Sequence, residues 1–438
     1  PLHIGHLRNT VIGDTLVRAF RKAGYPVEAQ YYLNDMGRQI AIVAWGVKHL
    51  HYERLPGEKG DEFIVRHYIE ANKIAKDKPE IEHEFDEMME KIEAGDPETV
   101  KLFHYSVDIC AEGIKETLAA MNVCHDRFVR ETTFLWNGDM QKVLDRVEAL
   151  PDAQHDGQMM YLDLSDKGFG NRYVLRRSNG TSVYAARDLA FHLWKNAQCD
   201  RSIDVLGADH KLIGSQLRTT LAMIGERSPE IVNFEFVSLS YSSMTTRGGV
   251  FITADELLAE TKKRALEEVT ARRPELGGAE RELIASAVAV GAVRYDIVKV
   301  SAEQFMVFNW KEALDFERQS APYIQYAHAR ACSILEKAKA DGGFAETYSF
   351  SDPYEIALVK HLAQFPYVIE KIVSELRPHL LAAYVRDLAD LFNSFYRFAP
   401  VLKTEGSVRD ARLTLVDASR NTLAAALGVL GIEALESM

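Results

Sequence analysis

Cysteine is scarce in this chain of 438 residues, and its four copies, Cys110, Cys124, Cys199 and Cys332, stand far apart. No Cys-x-x-Cys pair offers thiolates to zinc, and a chain this long does not rely on a disulfide framework. A reducing cytoplasm is therefore the expected compartment. Long hydrophobic runs are also absent, which excludes a membrane helix and any role in a membrane, and no signal peptide is visible. Basic charge is outnumbered, with 52 Lys and Arg against 64 Asp and Glu, for a net charge of −12. That balance excludes a whole-surface attraction to nucleic acid but not a local basic groove. Arg172, Arg176, Arg177, Arg187, Arg218, Arg247, Lys262, Lys263 and Arg264 recur in the middle of the chain, although such charges mostly sit on solvated faces. Internal repeats and low-complexity tracts are lacking. So is an initiator Met: Pro1 stands inside a motif, and the natural N-terminus is expected upstream of it, where a targeting segment would be out of sight.

What is present is an ordinary globular composition, 47% hydrophobic and 26% charged, long enough for two or three domains with separate cores. The most informative stretch is the first, Pro1-Leu2-His3-Ile4-Gly5-His6. Leu7, Val11, Ile12, Leu16 and Phe20 mark the apolar stripe of a helix over 5–24, with Gly24 just past its end. A helix N-terminus carries unpaired N–H groups and the positive end of the dipole, and so favours phosphate. Gly5 admits close approach to the backbone, and His3 and His6, one turn apart, are placed to donate to one anionic group. Four residues alone are equally consistent with a helix start where two histidines happen to fall.

The periodicity then predicts a strand over 27–33 and a second helix capped by Asn34-Asp35, with Met36, Ile40, Val43, Val47 and Leu50 on one face. This order fits a doubly wound α/β unit. Residues 56–122 read as a polar, helical insertion. Strands are expected near 126–131, 158–164, 172–177, 203–207 and 233–239. From about 280 the pattern is helical: 280–302, 311–340, 352–376, 378–398 and 408–430, punctuated by Gly342-Gly343, Pro378 and Pro400.

Three further constellations are candidates for chemistry. Tyr184 and Asp188 fall one helical turn apart, and a phenol beside a carboxylate suits a guanidinium; a surface pair with Arg187 and Asp188 in salt bridges is the competing reading. Asp209, in Gly207-Ala208-Asp209-His210, sits at the C-terminal end of a parallel-type strand, where open α/β sheets bind ligands, or in a simple turn. Gln216, further along, is a weaker candidate. Tyr323, Gln325, Tyr326 and Arg330 are placed to stack on unpaired bases and contact phosphates, or else to pack with Ile324, Ala327 and Ile334.

Residues 1–6 resemble the HIGH signature of class I aminoacyl-tRNA synthetases. His6-Leu7-Arg8-Asn9 and Tyr32-Leu33-Asn34-Asp35-Met36-Gly37-Arg38-Gln39 resemble the arginyl members specifically. Ser240 to Gly249 with Ile252 to Leu258 resembles the KMSKS loop and the helix after it. Ser243 replaces the first lysine and Thr245-Thr246 stand for Ser-Lys, so only Met244 and Arg247 persist. Asp315 to Arg330 resembles the start of the family's anticodon-binding domain, and the end, Leu427 to Met438, its natural C-terminus.

The resemblance implies an α/β fold: a class I Rossmann-like parallel-sheet catalytic domain with a largely helical insertion, followed by an all-α helical-bundle anticodon-binding domain. The expected boundaries are 1–55 and 123–265 for the catalytic parts, 56–122 for the insertion and 266–438 for the last domain. It implies an arginine–tRNA ligase in which His3, Gly5, His6 and Arg247 are catalytic. ATP falls to His3, Gly5, His6, Asp209, Met244, Thr245 and Thr246, and arginine to Tyr184, Asp188, Asp209 and Asn34. Tyr323, Gln325, Tyr326 and Arg330 are assigned to tRNA. The expected partners are tRNA(Arg), L-arginine and ATP with Mg2+, with no protein metal site, and the expected state is a monomer. In the family, tRNA binds before arginine is activated, and a lysine upstream of the HIGH motif may stand in for a lost loop lysine. Two other classes remain: a different H-x-G-H nucleotidyl transferase or synthetase, and a non-catalytic tRNA-binding relative or truncated, inactive fragment, suggested by the missing loop lysines.

Overall fold

The structure is a computed structural model that describes residues 1–239, 252–338 and 349–438. It divides into two compact units. The first comprises Pro1, Ala29–Thr117 and His125–Asn233; the second comprises Leu2–Glu28, Leu118–Cys124 and Phe234–Met438.

In the first unit, strand Gln30–Leu33 pairs in parallel with Arg127–Arg130, Gln30 opposite Arg127 and Leu33 opposite Arg130. Parallel partners need a long crossover, and here helices supply it. Arg38–Leu50, Gly60–Asp77 and Glu82–Glu93 contribute Trp45, Phe85 and Ile92 to one core, which Phe103 completes. Ala153–Asp156, Met159–Leu162 and Tyr173–Arg176 form an antiparallel sheet. Its Leu162 and Leu175 pack with Leu144, Leu189 and Leu217 from the surrounding helices. Strand Ile203–Gly207 pairs with Glu230–Phe234.

The second unit is mostly helical, with a short parallel pair, Val237–Leu239 against Met306–Phe308. Helix Ile4–Lys22 packs here, against Gly278–Lys299, Phe365–Glu375 and Gly406–Val429. Two buried arginines hold it. Arg8 is fully buried. It donates to the carbonyls of Glu235 (2.7 Å), Ser301 (2.9 Å) and Gln304 (2.8 Å). Burial pulls its guanidinium down to about 10 while Glu235 pulls it up. Arg294, also fully buried, meets Asp14 Oδ2 at 2.5 Å. It further donates to Leu430 O at 2.7 Å, Met121 O at 2.8 Å and Asn122 O at 3.2 Å. A Cβ on Gly431, whose φ is +69°, would fall 2.2 Å from Arg294 Nη2, so glycine is required there for both backbone and space.

Four local expectations need correction. Helix Arg38–Leu50 is not capped by Asn34-Asp35: Gly37, at φ 95°, is its N-cap. The buried Asp35 carboxylate instead accepts from Thr132 N (2.9 Å) and Oγ1 (2.6 Å). The strand expected over 233–239 is two strands, because the carbonyls of Glu235 and Phe236 turn to Arg8. The helix expected over 311–340 is broken: Trp310–Ala313 stops, Gln319 turns at φ 52°, and Ala321–Ala338 begins afresh. The helix expected over 352–376 is also two, Pro353–Leu362 and Phe365–Glu375, the second starting at a proline that has no N–H to continue the first.

Removing one partner of a buried ion pair strands the other, at a cost of about 3–5 kcal/mol. Arg294→Met is therefore expected to lower unfolding stability by that order in urea titrations. Gly431→Ala should move stability in the same direction by crowding the same guanidinium.

Candidate active site

The opening turn of helix Ile4–Lys22 is built by its own histidines. His3 is the N-cap, its Nδ1 accepting from Gly5 N at 3.1 Å, and His6 Nδ1 accepts from His3 N at 3.2 Å. This is a capping box in which imidazoles replace the usual hydroxyl and carboxylate. The rings stack with centroids 3.7 Å apart. A Cβ on Gly5 would lie 2.9 Å from His3 Cε1, so the glycine lets the His3 ring fold over the turn. Partial burial, then the neighbouring His3, pull His6 down to about 4, and burial lowers His3 too. Both rings are thus neutral at pH 7. With Nδ1 accepting, Nε2 carries the proton and is the donor.

The flanks of 240–251 are tied to this same turn. On one side His3 bridges Thr253 and Ala254 N donates to Leu2 O at 2.7 Å. Thr253 starts the next helix with a capping box to Glu256. On the other side Arg8 holds Glu235 and Phe236, just ahead of strand Val237–Leu239. Met244, Thr245, Thr246 and Arg247 themselves lie outside the described residues.

In the first unit, Tyr184 opens helix Tyr184–Asn196 and Asp188 follows one turn later, its side chain only 13% exposed. Arg187 is turned away from both, inward to Glu131 Oε1 at 2.5 Å and Ser182 Oγ at 2.6 Å. The surface salt-bridge reading is therefore not the arrangement found. Burial first, then Asp188 and Glu131, raise the Tyr184 phenol well above its usual range. Glu131 is itself raised by burial against the pull of Arg187. The Asn34 amide, oriented by its neighbours, donates to Glu131 Oε2 at 2.5 Å and Met36 O at 3.0 Å. Tyr32 lies edge-on to Tyr184 with centroids 6.1 Å apart, and its buried hydroxyl has no hydrogen-bond partner among the described residues. Two carboxylates, two phenols and an amide thus converge at the ends of parallel strands Gln30–Leu33 and Arg127–Arg130, where open α/β sheets take ligands.

Residues 1–310 match the family described as tRNA synthetases class I (R), catalytic domain, and residues 324–438 match the DALR anticodon binding domain. The chain belongs to the class I arginyl-tRNA synthetases. It is 85% identical to the arginine–tRNA ligase of Methanocorpusculum labreanum and 52% identical to that of Methanosarcina mazei, in each case over the whole chain and 78% of the relative. The structure is similar to Thermus thermophilus arginyl-tRNA synthetase, at a TM-score of 0.88 and 30% identity, covering 100% of this chain and 80% of that one. It shares its fold with the Plasmodium falciparum enzyme, at a TM-score of 0.81 and 21% identity, covering 100% of this chain and 74% of that one.

Within this synthetase the remaining candidates divide. Asp209 is exposed in the turn after strand Ile203–Gly207, and its ion pair, at 3.6 Å, is with His210 rather than with the Tyr184–Asp188 group. Gln216 is buried and donates to Asn171 O. On helix Ala321–Ala338, Tyr326 is exposed, and Arg330 lies over the rings of Tyr326 and Tyr396 at 4.8 and 5.2 Å. Tyr323 donates to Asp390 at 2.7 Å. Gln325 requires correction: it is fully buried and donates to Glu433 O at 2.9 Å, so it braces the C-terminal segment and cannot reach a nucleic acid. Tyr32 and Glu131 were not singled out from sequence. A lone Tyr in a strand and a lone Glu after one carry no spacing signal.

Behind Asp188, His192 Nδ1 lies 2.8 Å from Asp188 O and 3.3 Å from its Oδ1, while Nε2 is 2.7 Å from Asp204 Oδ2. Burial and Lys195 pull this imidazole down, but Asp204 and Asp188 outweigh them and push it up to about 9. Asp204, though buried, is held below its usual range by Lys195 and His192. NMR of the imidazole should accordingly show His192 charged at neutral pH, titrating near 9. Its contribution to stability is full below the unfolded-state value of about 6.5 and is lost as pH rises through about 9. A midpoint at or below 6.5 would contradict this arrangement.

Proposed function

We propose that Tyr184, Asp188 and Asn34 hold the substrate arginine, with Glu131 bracing Asn34, and that His3, Gly5, His6 and Arg247 act on the phosphates of ATP. The activity follows from the family: arginine–tRNA ligation, with ATP consumed. In the first step the arginine carboxylate attacks the α-phosphorus of ATP and pyrophosphate leaves, giving arginyl-adenylate. In the second, a hydroxyl of the terminal ribose of tRNA attacks the arginyl carbonyl and AMP leaves.

The observation that supports the arginine assignment most is the withdrawal of Arg187 to Glu131 and Ser182. It leaves Asp188, beside the Tyr184 phenol, for a cation from outside. A guanidinium offers five donors in a planar fork, which a carboxylate and flanking oxygens can satisfy. The α-amino group of the substrate is the second cation, which the exposed Asn34, held in place by buried Glu131, is suited to take.

The neutral rings of His3 and His6 add Nε2–H donors to the positive end of the helix, where charge builds on the α-phosphate and the leaving pyrophosphate. This is positioning and electrostatic stabilisation with no covalent step on the protein. Arg247 supplies the one full positive charge retained in a loop that has lost both lysines. Among the described residues no group of three or more His, Cys, Asp or Glu is arranged to hold a metal ion. Magnesium would enter with ATP, as the family implies. Exposed Tyr326 with Arg330 and Tyr396 makes an aromatic and cationic surface for unpaired tRNA bases. No helix among the described residues is long and apolar enough to cross a membrane.

An amino-acid panel in ATP–pyrophosphate exchange with tRNA present tests the reading directly: arginine alone should be activated, and activation of another amino acid instead would reject it. Asp188→Ala should raise KM for arginine strongly, and unchanged arginine kinetics would remove the pocket assignment. His6→Ala should depress kcat by about a hundredfold, the usual size for one lost oxyanion donor, with tRNA affinity retained. A large loss of tRNA binding would contradict that role.

A further inference from the structure

Helix Tyr184–Asn196 carries a second layer of charge under its ligand-facing turn. His192 lies one turn beyond Asp188 on the same face, its Nδ1 close to both the main-chain oxygen (2.8 Å) and Oδ1 (3.3 Å) of Asp188. Its other nitrogen is 2.7 Å from Asp204 Oδ2, on strand Ile203–Gly207. Lys195, from the next turn of the helix, closes the group at 2.7 Å from Asp204 Oδ1 and 2.9 Å from His192 Nε2, with its ammonium over the Phe191 ring at 4.4 Å. His192 is 3% exposed and its charged neighbours are these three.

We propose that His192 is the positioning residue of the arginine site: anchored on Asp204, it orients the Asp188 carboxylate toward the substrate guanidinium. This rests on the reading that Asp188 takes that guanidinium.

Three carboxylates, Glu131, Asp188 and Asp204, lie near one another in this unit, as their mutual influence with Tyr184 shows. Arg187 serves Glu131 and Lys195 serves Asp204. His192 is the cation shared between Asp204 and Asp188, and it is shared unequally, 2.7 Å against 3.3 Å. The short contact fixes the ring. The long one biases the Asp188 rotamer without forming a full pair. A lysine or arginine at this position would pair with Asp188 outright and compete with the substrate. An apolar residue would leave a nearly buried carboxylate to choose its own rotamer. An imidazolium tied elsewhere meets both demands, since ligand-binding groups work only when a supporting layer holds them in place.

The test is steady-state aminoacylation and ATP–pyrophosphate exchange on the full chain with saturating tRNA. His192→Ala should raise KM for arginine by about tenfold, the size of one hydrogen bond to a charged group, while kcat and KM for ATP hold; Tm should fall at neutral pH, because the raised imidazole stabilises the fold there. His192→Gln, which keeps a donor, should recover most of that loss. In an Asp188→Asn background, His192→Ala should add nothing further. A merely structural His192 would move kcat and KM for ATP together with KM for arginine, and that pattern overturns the proposal. So does an unchanged KM for arginine in His192→Ala when Asp188→Asn raises it. If Asp188→Asn itself leaves KM for arginine alone, the underlying arginine assignment has failed, and the positioning role falls with it. Should His192→Ala not fold, His192→Gln and Asp204→Asn carry the same comparison. Asp204→Asn, by releasing the ring, should raise KM for arginine with kcat retained, and a KM at the parent value in both would overturn the proposal.

Discussion

The carboxylate of Asp14 and the guanidinium of Arg294 meet in the interior of the helical unit, and much of that unit is arranged around them. Two ions taken out of water cost several kcal/mol each, and that cost is offset by hydrogen bonds from each of the three guanidinium nitrogens. Leu430, Met121 and Asn122 lend their carbonyls, and Arg18 donates to the same Asp14 oxygen at 2.7 Å. Segments remote in sequence therefore share one electrostatic centre: the helix that carries His3 and His6, the turn at 121–122, helix Gly278–Lys299 and the chain after Val429. Gly431 is glycine because that centre leaves no room for a Cβ.

The C-terminal segment extends this arrangement toward the proposed tRNA surface. Gln325 donates to Glu433 O, and His328 Nδ1 lies 2.9 Å from Leu435 O. Both residues sit on the buried side of helix Ala321–Ala338, whose exposed side carries Tyr326. A shift of that helix would be felt by the segment beside it, and through Leu430 by Arg294. The proposed tRNA-contacting helix and the proposed nucleotide-binding turn thus belong to one physically connected unit, and these contacts are the parts through which coupling between them would pass.

The arginine site follows a different logic. Its charges are sorted by partner: Arg187 to Glu131, Lys195 to Asp204, and His192 between Asp204 and Asp188. Each internal cation has been given work that keeps it from neutralising Asp188 outright. Selection of a cationic amino acid requires a carboxylate that is desolvated enough to gain from pairing and yet not already paired. The two conditions conflict unless the protein supplies an orienting group weaker than the substrate.

Much of this could be read along the chain. The apolar stripe from Leu7 to Phe20 announces its helix, and Gly24 ends it with φ +88°. Tyr184 and Asp188 lie one turn apart because a helix places them so. These are local facts, decided within a few residues by backbone geometry. What the chain alone left open depends on partners beyond the local turn, 97 residues apart for Asp35 and Thr132, 108 for Gln325 and Glu433 and 227 for Arg8 and Glu235. Asp35 could not be seen to serve Thr132 rather than a helix cap. The break at Glu235 and Phe236 could not be foreseen without Arg8, nor the burial of Gln325 without Glu433. Glu131 and His192 carry no sequence signal, since a single Glu or His acquires its role only from the charges folded against it. The sequence by itself determined the family and most of the helices, and it offered candidates to meet phosphate and guanidinium. Tertiary structure alone decided which of them face a ligand and which are occupied by the protein, because pairing of charges in a low-dielectric interior is settled by proximity in space.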